Sequence, residues 1–100
     1  MFLLRYLASP RPDNQEAATV GGAFVNCWID LPSLDAAKAA AEAMIEEYGW
    51  TVRRLEEQSQ AFREDLAGES LEYYEQAEID KTVLVFHTWP IHASDAGNEE

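Results

Sequence analysis

One hundred residues suit a single domain, and a 47% share of aliphatic and aromatic residues is enough for one packed core. Nineteen acids against seven bases leave a formal net charge of −12, which argues against nucleic acid and anionic membranes as partners. No run of about 18 apolar residues is present, and the apolar start is broken by Arg5 without a basic n-region, unlike a signal peptide.

Phe2 to Ala8 alternates weakly and predicts a strand, stopped by Ser9-Pro10-Arg11-Pro12-Asp13-Asn14. A linker with one helical turn over Gln15 to Thr19 runs on to Gly21-Gly22. Phe24 to Leu31 predicts the next strand, with Val25, Cys27 and Ile29 on one face. Phe24, Asn26, Trp28 and Asp30 share the other. Ser33 predicts a helix N-cap, and Leu34, Ala37, Ala41, Met44, Ile45 and Tyr48 recur at helical spacing up to Gly49.

Trp50 to Leu55 predicts a third strand, with Trp50, Val52 and Arg54 on one face. A short helix is expected over Ser59 to Ala67, closed by Gly68. A second helix, capped by Ser70, is expected to reach about Ile79. Thr82 to Trp89 predicts the last strand, stopped by Pro90. Residues 1–92 therefore form one domain, and Ala93 to Glu100 is expected to be a flexible acidic tail. The order β-β-α-β-α-β predicts the α+β class. The expected architecture is a ferredoxin-like two-layer sandwich with both helices on one sheet face. Its β-α-β part would be parallel, and the N-terminal hairpin would add an antiparallel edge.

Several segments resemble a small family of uncharacterised bacterial proteins. They are Gly21 to Asp30, Tyr48-Gly49-Trp50, Leu71 to Ala77, and Val85-Phe86-His87-Thr88-Trp89-Pro90. The likeness spans about residues 21–90 of the sequence and implies a compact bacterial protein of similar length. It implies no activity.

No dinucleotide, phosphate-loop, zinc-protease or serine-hydrolase motif occurs, so no cofactor and no catalytic residue is assigned. Cys27 alternates with Val25 and Ile29, which favours a buried, unreactive thiol over a nucleophile paired with His87. A lone cysteine suits a reducing cytoplasm, the expected location. His87 and His92 are five apart across a proline, and even with Asp30 they match no metal motif. Trp28, Trp50, Tyr73, Tyr74 and Trp89, with Asn26, Asp30 and His87, form the candidate pocket or interface. Arg54 is a further polar companion. Glu69, Glu72, Glu75 and Glu78 offer an acidic helix surface.

These features support a non-catalytic, dimeric interaction or small-ligand-sensing module. Two alternatives stand beside it. One is a small enzyme with a pocket around His87 and Tyr73 or Tyr74. The other is an acidic adaptor or inhibitor of a basic protein. A homodimer is expected because both faces of the sheet read as apolar, with Trp28 and Trp89 as anchors.

Overall fold

The computed structural model describes residues 1–91. The expected tail over Ala93 to Glu100, and His92 with it, lies outside the described residues. The chain forms β1 (Phe2–Pro10), β2 (Val20–Ile29), α1 (Leu34–Glu47), β3 (Trp50–Gln60), α2 (Gly68–Asp80) and β4 (Thr82–Pro90). Single 3-10 turns occupy Gln15–Ala18 and Arg63–Asp65. The α+β class is as the sequence predicts, with one four-stranded sheet and two helices.

The sheet has the order β3-β1-β2-β4, and every neighbouring pair is antiparallel. The N-terminal strand was expected at an edge, but it lies inside the sheet between β2 and β3. Its residues explain that position. Leu4, Tyr6 and Ala8 are buried on one face, and Leu3, Arg5 and Leu7 are half-buried on the other. Strands apolar on both sides belong between covered neighbours. The connection from β2 through α1 to β3 therefore passes over β1, and no parallel pair forms.

Alternation along β3 is interrupted twice. Leu7 pairs with Arg54 and Ala8 with Val52, leaving Arg53 as an extra residue. Arg5 pairs with Glu57 and Tyr6 with Leu55, leaving Glu56 as a second. Each extra residue shifts the face on which the following side chains lie. Trp50, Val52 and Leu55 consequently all pack on the α1 side, while Arg54 turns to the opposite side. This corrects the simple alternation that grouped Arg54 with Trp50.

Helix α1 begins where the sequence predicts, with Ser33 Oγ accepting from the Ala36 amide at 3.1 Å. Gly49 ends it at φ 92°, a conformation that suits glycine. Ala37, Ala41 and Ile45 are fully buried against Leu4, Tyr6, Val25, Cys27 and Ile29. The alanines let the helix axis lie close to the sheet.

Helix α2 packs on the other side. Leu3, Trp28 and Val83 are cross-strand partners and so share a face. Ala77, Tyr73 and Tyr74 of α2 pack on that face, with the Tyr73 ring 6.2 Å from Trp28. The expectation of both helices on one face is thus corrected. Both faces of this sheet are apolar, and each receives a helix. α2 joins the two edge strands and crosses beneath one end of the central hairpin.

The helix expected over Ser59 to Ala67 does not form. Ser59 and Gln60 instead continue β3 by pairing with Leu3 and Phe2. The start of α2 is at Gly68 after Ala67, without a side-chain cap, so Ser70 lies inside the first turn. Lys81 closes it in the left-handed region at φ 74°, its amide donating to the Ala77 carbonyl at 2.7 Å. The Gly-Gly pair expected to precede β2 is part of it. There Gly22 has a steric purpose, because a Cβ at that position would lie 2.5 Å from Trp89 Cζ2. The missing side chain lets the indole lie flat on the strand.

Candidate functional site

The eight residues singled out from the sequence separate into four places. Trp28, Tyr73 and Tyr74 pack together in the α2 interior, and Trp28 is only 5% exposed. Asp30 sits beyond the end of β2, where its carboxylate meets Lys81 Nζ at 3.8 Å. Trp50 lies on the α1 side in the main core. Only Asn26, His87 and Trp89 remain together on the part of the sheet that α2 leaves uncovered.

That uncovered part is a band of half-buried and exposed side chains. Asn26 Nδ2 lies 3.3 Å from His87 Nε2. The Trp89 and Phe24 rings are tilted against each other at 5.2 Å. The Arg5 guanidinium stacks 4.4 Å above the Phe24 ring. This is a cation–π arrangement that shields the charge from water on one side. Arg5 Nε is buried with no hydrogen-bond partner among the described residues. Arg54 follows on β3 as the register neighbour of Leu7. Arg53 Nε donates to Ser9 Oγ at 2.9 Å nearby.

The second arrangement escaped sequence reasoning. On the α1 side, Glu16, Tyr48, Trp50, Leu84, Phe86 and Thr88 line an open groove of about 550 Å³. Its construction begins with two small residues. Ala8 and Ala23 are register partners in the central strands and are completely covered. Their small size leaves a trough across the sheet. Trp50 enters the trough from edge strand β3, and its ring reaches within 5.4 Å of Phe86 on the opposite edge strand. Four strands span about 14 Å at the usual spacing, so only a long side chain closes that gap.

Tyr48 completes the groove. It is the C-cap of α1, 56% exposed, and meets Phe86 edge-on at 6.0 Å with 76° between the ring planes. Phe86 thus stands between Tyr48 and Trp50. The exit from α1 is fixed by Asn14, whose Nδ2 donates to the Gly49 carbonyl at 2.9 Å. The same Asn14 caps the 3-10 turn that carries Glu16. One asparagine therefore ties the acidic wall of the groove to its aromatic wall. The sequence held one signal for this site: the run Tyr48-Gly49-Trp50, which puts two aromatics either side of a turn.

Cys27 is fully buried beneath α1, as expected from its alternation. Burial pushes its thiol up to about 12. Burial also raises the Tyr73 phenol, helped by the Glu69 carboxylate. Neither group is poised near neutral pH. Among the described residues, no three His, Cys, Asp or Glu side chains are placed to hold a metal ion. No helix among them is long and apolar enough to cross a membrane.

Comparison with family models, curated proteins and solved structures finds no match to this chain.

Proposed function

We propose that this chain is a non-catalytic, small-ligand-sensing module whose ligand site is the groove between Tyr48, Trp50 and Phe86. The observation that carries this reading is an open groove of about 550 Å³ in which three aromatic side chains stand beside the polar groups of Glu16 and Thr88. Small-molecule sites share that size and that use of aromatic walls. The Trp50 wall is preorganised, since that side chain is held in the core at 4% exposure.

The test is a screen of neutral, anionic and cationic metabolites followed by amide and methyl chemical-shift mapping. Perturbations are expected at Tyr48, Trp50, Leu84, Phe86 and Thr88. Perturbations confined to Asn26, His87 and Trp89 would move the site to the other sheet face and overturn this reading.

A second reading is favoured by the uncovered band on the α2 side. There Phe24, Val85 and Trp89 present apolar surface beside Arg5 and Arg54, while Glu56 and Glu57 lie on the same edge strand. Arg54 is already paired with Glu56 within the chain, so the apolar side chains carry this pairing, and a symmetric interface repeats them on both copies. A homodimer through this band would use Trp89 as its anchor. Trp28 cannot serve, because α2 buries it. Light scattering at micromolar concentration is then expected to give twice the 11.3 kDa chain mass. Trp89→Ala would weaken the dimer by ~2 kcal/mol or more. A mass of one chain at that concentration refutes the pairing.

The enzyme reading has less support. Tyr73 packs on Trp28, which is four residues along β2 from Phe24, the register partner of His87. That separation is about 13 Å at strand spacing, too far for His87 and Tyr73 to act on one bond. The adaptor reading is weakened by Arg63, which pairs with Glu75 and also meets Glu78 at 3.5 Å. Part of the acidic helix surface is already neutralised. A cytoplasmic location and the absence of nucleic-acid and membrane partners belong to the same proposal, the first resting on the single cysteine and the others on the charge of −12.

A further inference from the structure

The groove has an electrostatic character that its volume does not convey. None of its six lining residues is basic, and its one formal charge is the Glu16 carboxylate. Tyr48 is the C-cap of α1, so the negative dipole end of that helix lies at the groove. Helix ends of this kind usually carry Lys or Arg in the last turn. Here the last turn contains no base and instead ends in Glu46-Glu47. Arg11 is the nearby cation, and it is occupied by Asp13 at 3.8 Å and Glu46 at 3.9 Å. The negative end of α1, three aromatic side chains and the Glu16 carboxylate therefore converge on one open space, with Arg11 already held by Asp13 and Glu46.

Aromatic faces carry negative quadrupolar potential, and a group of such rings favours a cation with a low hydration cost. Alkylated ammonium ions meet that condition, because methyl groups spread the charge and lose little water on entering an apolar site. A metal ion does not fit, since no cluster of oxygen ligands faces the groove among the described residues. An anion is opposed by Glu16 and by the helix end.

We infer that the groove binds a methylated or quaternary ammonium ligand, its cationic head seated against the Tyr48 and Phe86 rings with Trp50 behind them and its charge balanced by Glu16. This rests on the reading of the groove as a ligand site and specifies the class of ligand. Phe86 forms the central wall. Tyr48 and Trp50 flank it. Glu16 supplies the one formal counter-charge, and Thr88 offers a hydroxyl to a polar group on the ligand's tail.

The experiment uses choline and its neutral isostere 3,3-dimethylbutan-1-ol as probes, followed by tryptophan fluorescence and chemical-shift mapping on the intact chain. Choline is expected to bind at least about tenfold more tightly than the isostere, because the two differ in charge and hardly in shape. Glu16→Gln is expected to weaken choline several-fold and leave the isostere unchanged. Tyr48→Leu keeps the apolar area but removes the ring, and is expected to weaken choline selectively. Both positions are exposed, so both variants should keep the fold, which a far-UV spectrum checks.

Equal affinity for the two probes, or choline binding insensitive to both substitutions, overturns the cationic specificity. If choline does not bind but a neutral or anionic metabolite maps to Phe86 and Trp50, the ligand class is wrong and the groove remains the site. If no compound maps there, both readings fall.

Discussion

Trp28→Ala is expected to lower the stability of the chain by ~3–5 kcal/mol and to loosen α2 from the sheet. Helix α2 meets the sheet through a small apolar cluster. Its members are Ala77, Tyr73 and Tyr74 on the helix, with Trp28, Leu3 and Val83 beneath. Trp28 is the largest of them and is almost wholly covered. Its removal leaves a cavity that Ala77 cannot fill and deletes the ring contact to Tyr73. Small domains have only about 5–15 kcal/mol in total, so the loss is a large share. The effect should also be local. Amide exchange is expected to rise across Gly68–Asp80 before it rises across Leu34–Glu47, because α1 has its own core around Leu4, Tyr6, Val25 and Ile45. Urea unfolding followed by circular dichroism gives the first quantity and hydrogen exchange the second. A change below ~1 kcal/mol, or equal loss of protection in both helices, would show that Trp28 does not anchor α2.

The legibility of this fold in its sequence followed the strength of local signals. The Ser33 cap, the alanine-rich stripe and Gly49 gave α1 without ambiguity, because each is a local device acting within a few residues. β4 was equally plain, with Val83, Leu84, Val85 and Phe86 in one run. The α2 region was harder. Its apolar stripe is only Leu71, Tyr74 and Ala77, its cap is not a side chain, and its closing residue is Lys81 rather than glycine. Ser59 and Gln60 look helical or loop-like when read alone, and they are extended because β1 offers them a pairing edge.

Layer assignment depended on information that no local pattern holds. The apolar character of both sheet faces was visible in Leu84 and Phe86 on one side and Trp28 and Val83 on the other. It admitted two solutions: one bare face covered by a second copy, or one helix on each face. The chain takes the second over half of the sheet, which moves Trp28 from a surface anchor to a core residue. The groove was missed because it depends on the pairing of Trp50 to Val52 with Pro10 to Ala8 and on the alignment of Ala8 with Ala23. Both are matters of register, and together they bring Trp50 across the sheet to Phe86.

Raising the pH above 9 is expected to destabilise the chain steeply, with Cys27 responsible for the first part of the decline. In the unfolded chain a cysteine thiol ionises near ~8.5. In the folded chain burial lifts it to about 12, since a thiolate under α1 would have no water and no cation beside it. Between those two values the unfolded chain releases a proton that the folded chain keeps. Stability is therefore complete below the lower value and falls at up to about 1.4 kcal/mol per pH unit above it. Tyr6 adds to the decline from about pH 10, the ordinary phenol range. Burial is the main cause of its raised value, and its hydroxyl also donates to Glu42 Oε2 at 2.9 Å. Cys27→Ala removes the thiol and should flatten the slope between roughly pH 8.5 and 10 and about halve it above pH 10, where Tyr6 still contributes. Urea titrations of the two proteins at half-unit intervals from pH 7 to 11 measure both slopes. Parallel curves for the wild-type chain and the variant would mean that the thiol is not held neutral by the fold. In that case Cys27 should also react with a thiol reagent at the rate of the unfolded chain, whereas a thiol buried under α1 reacts only when the helix opens.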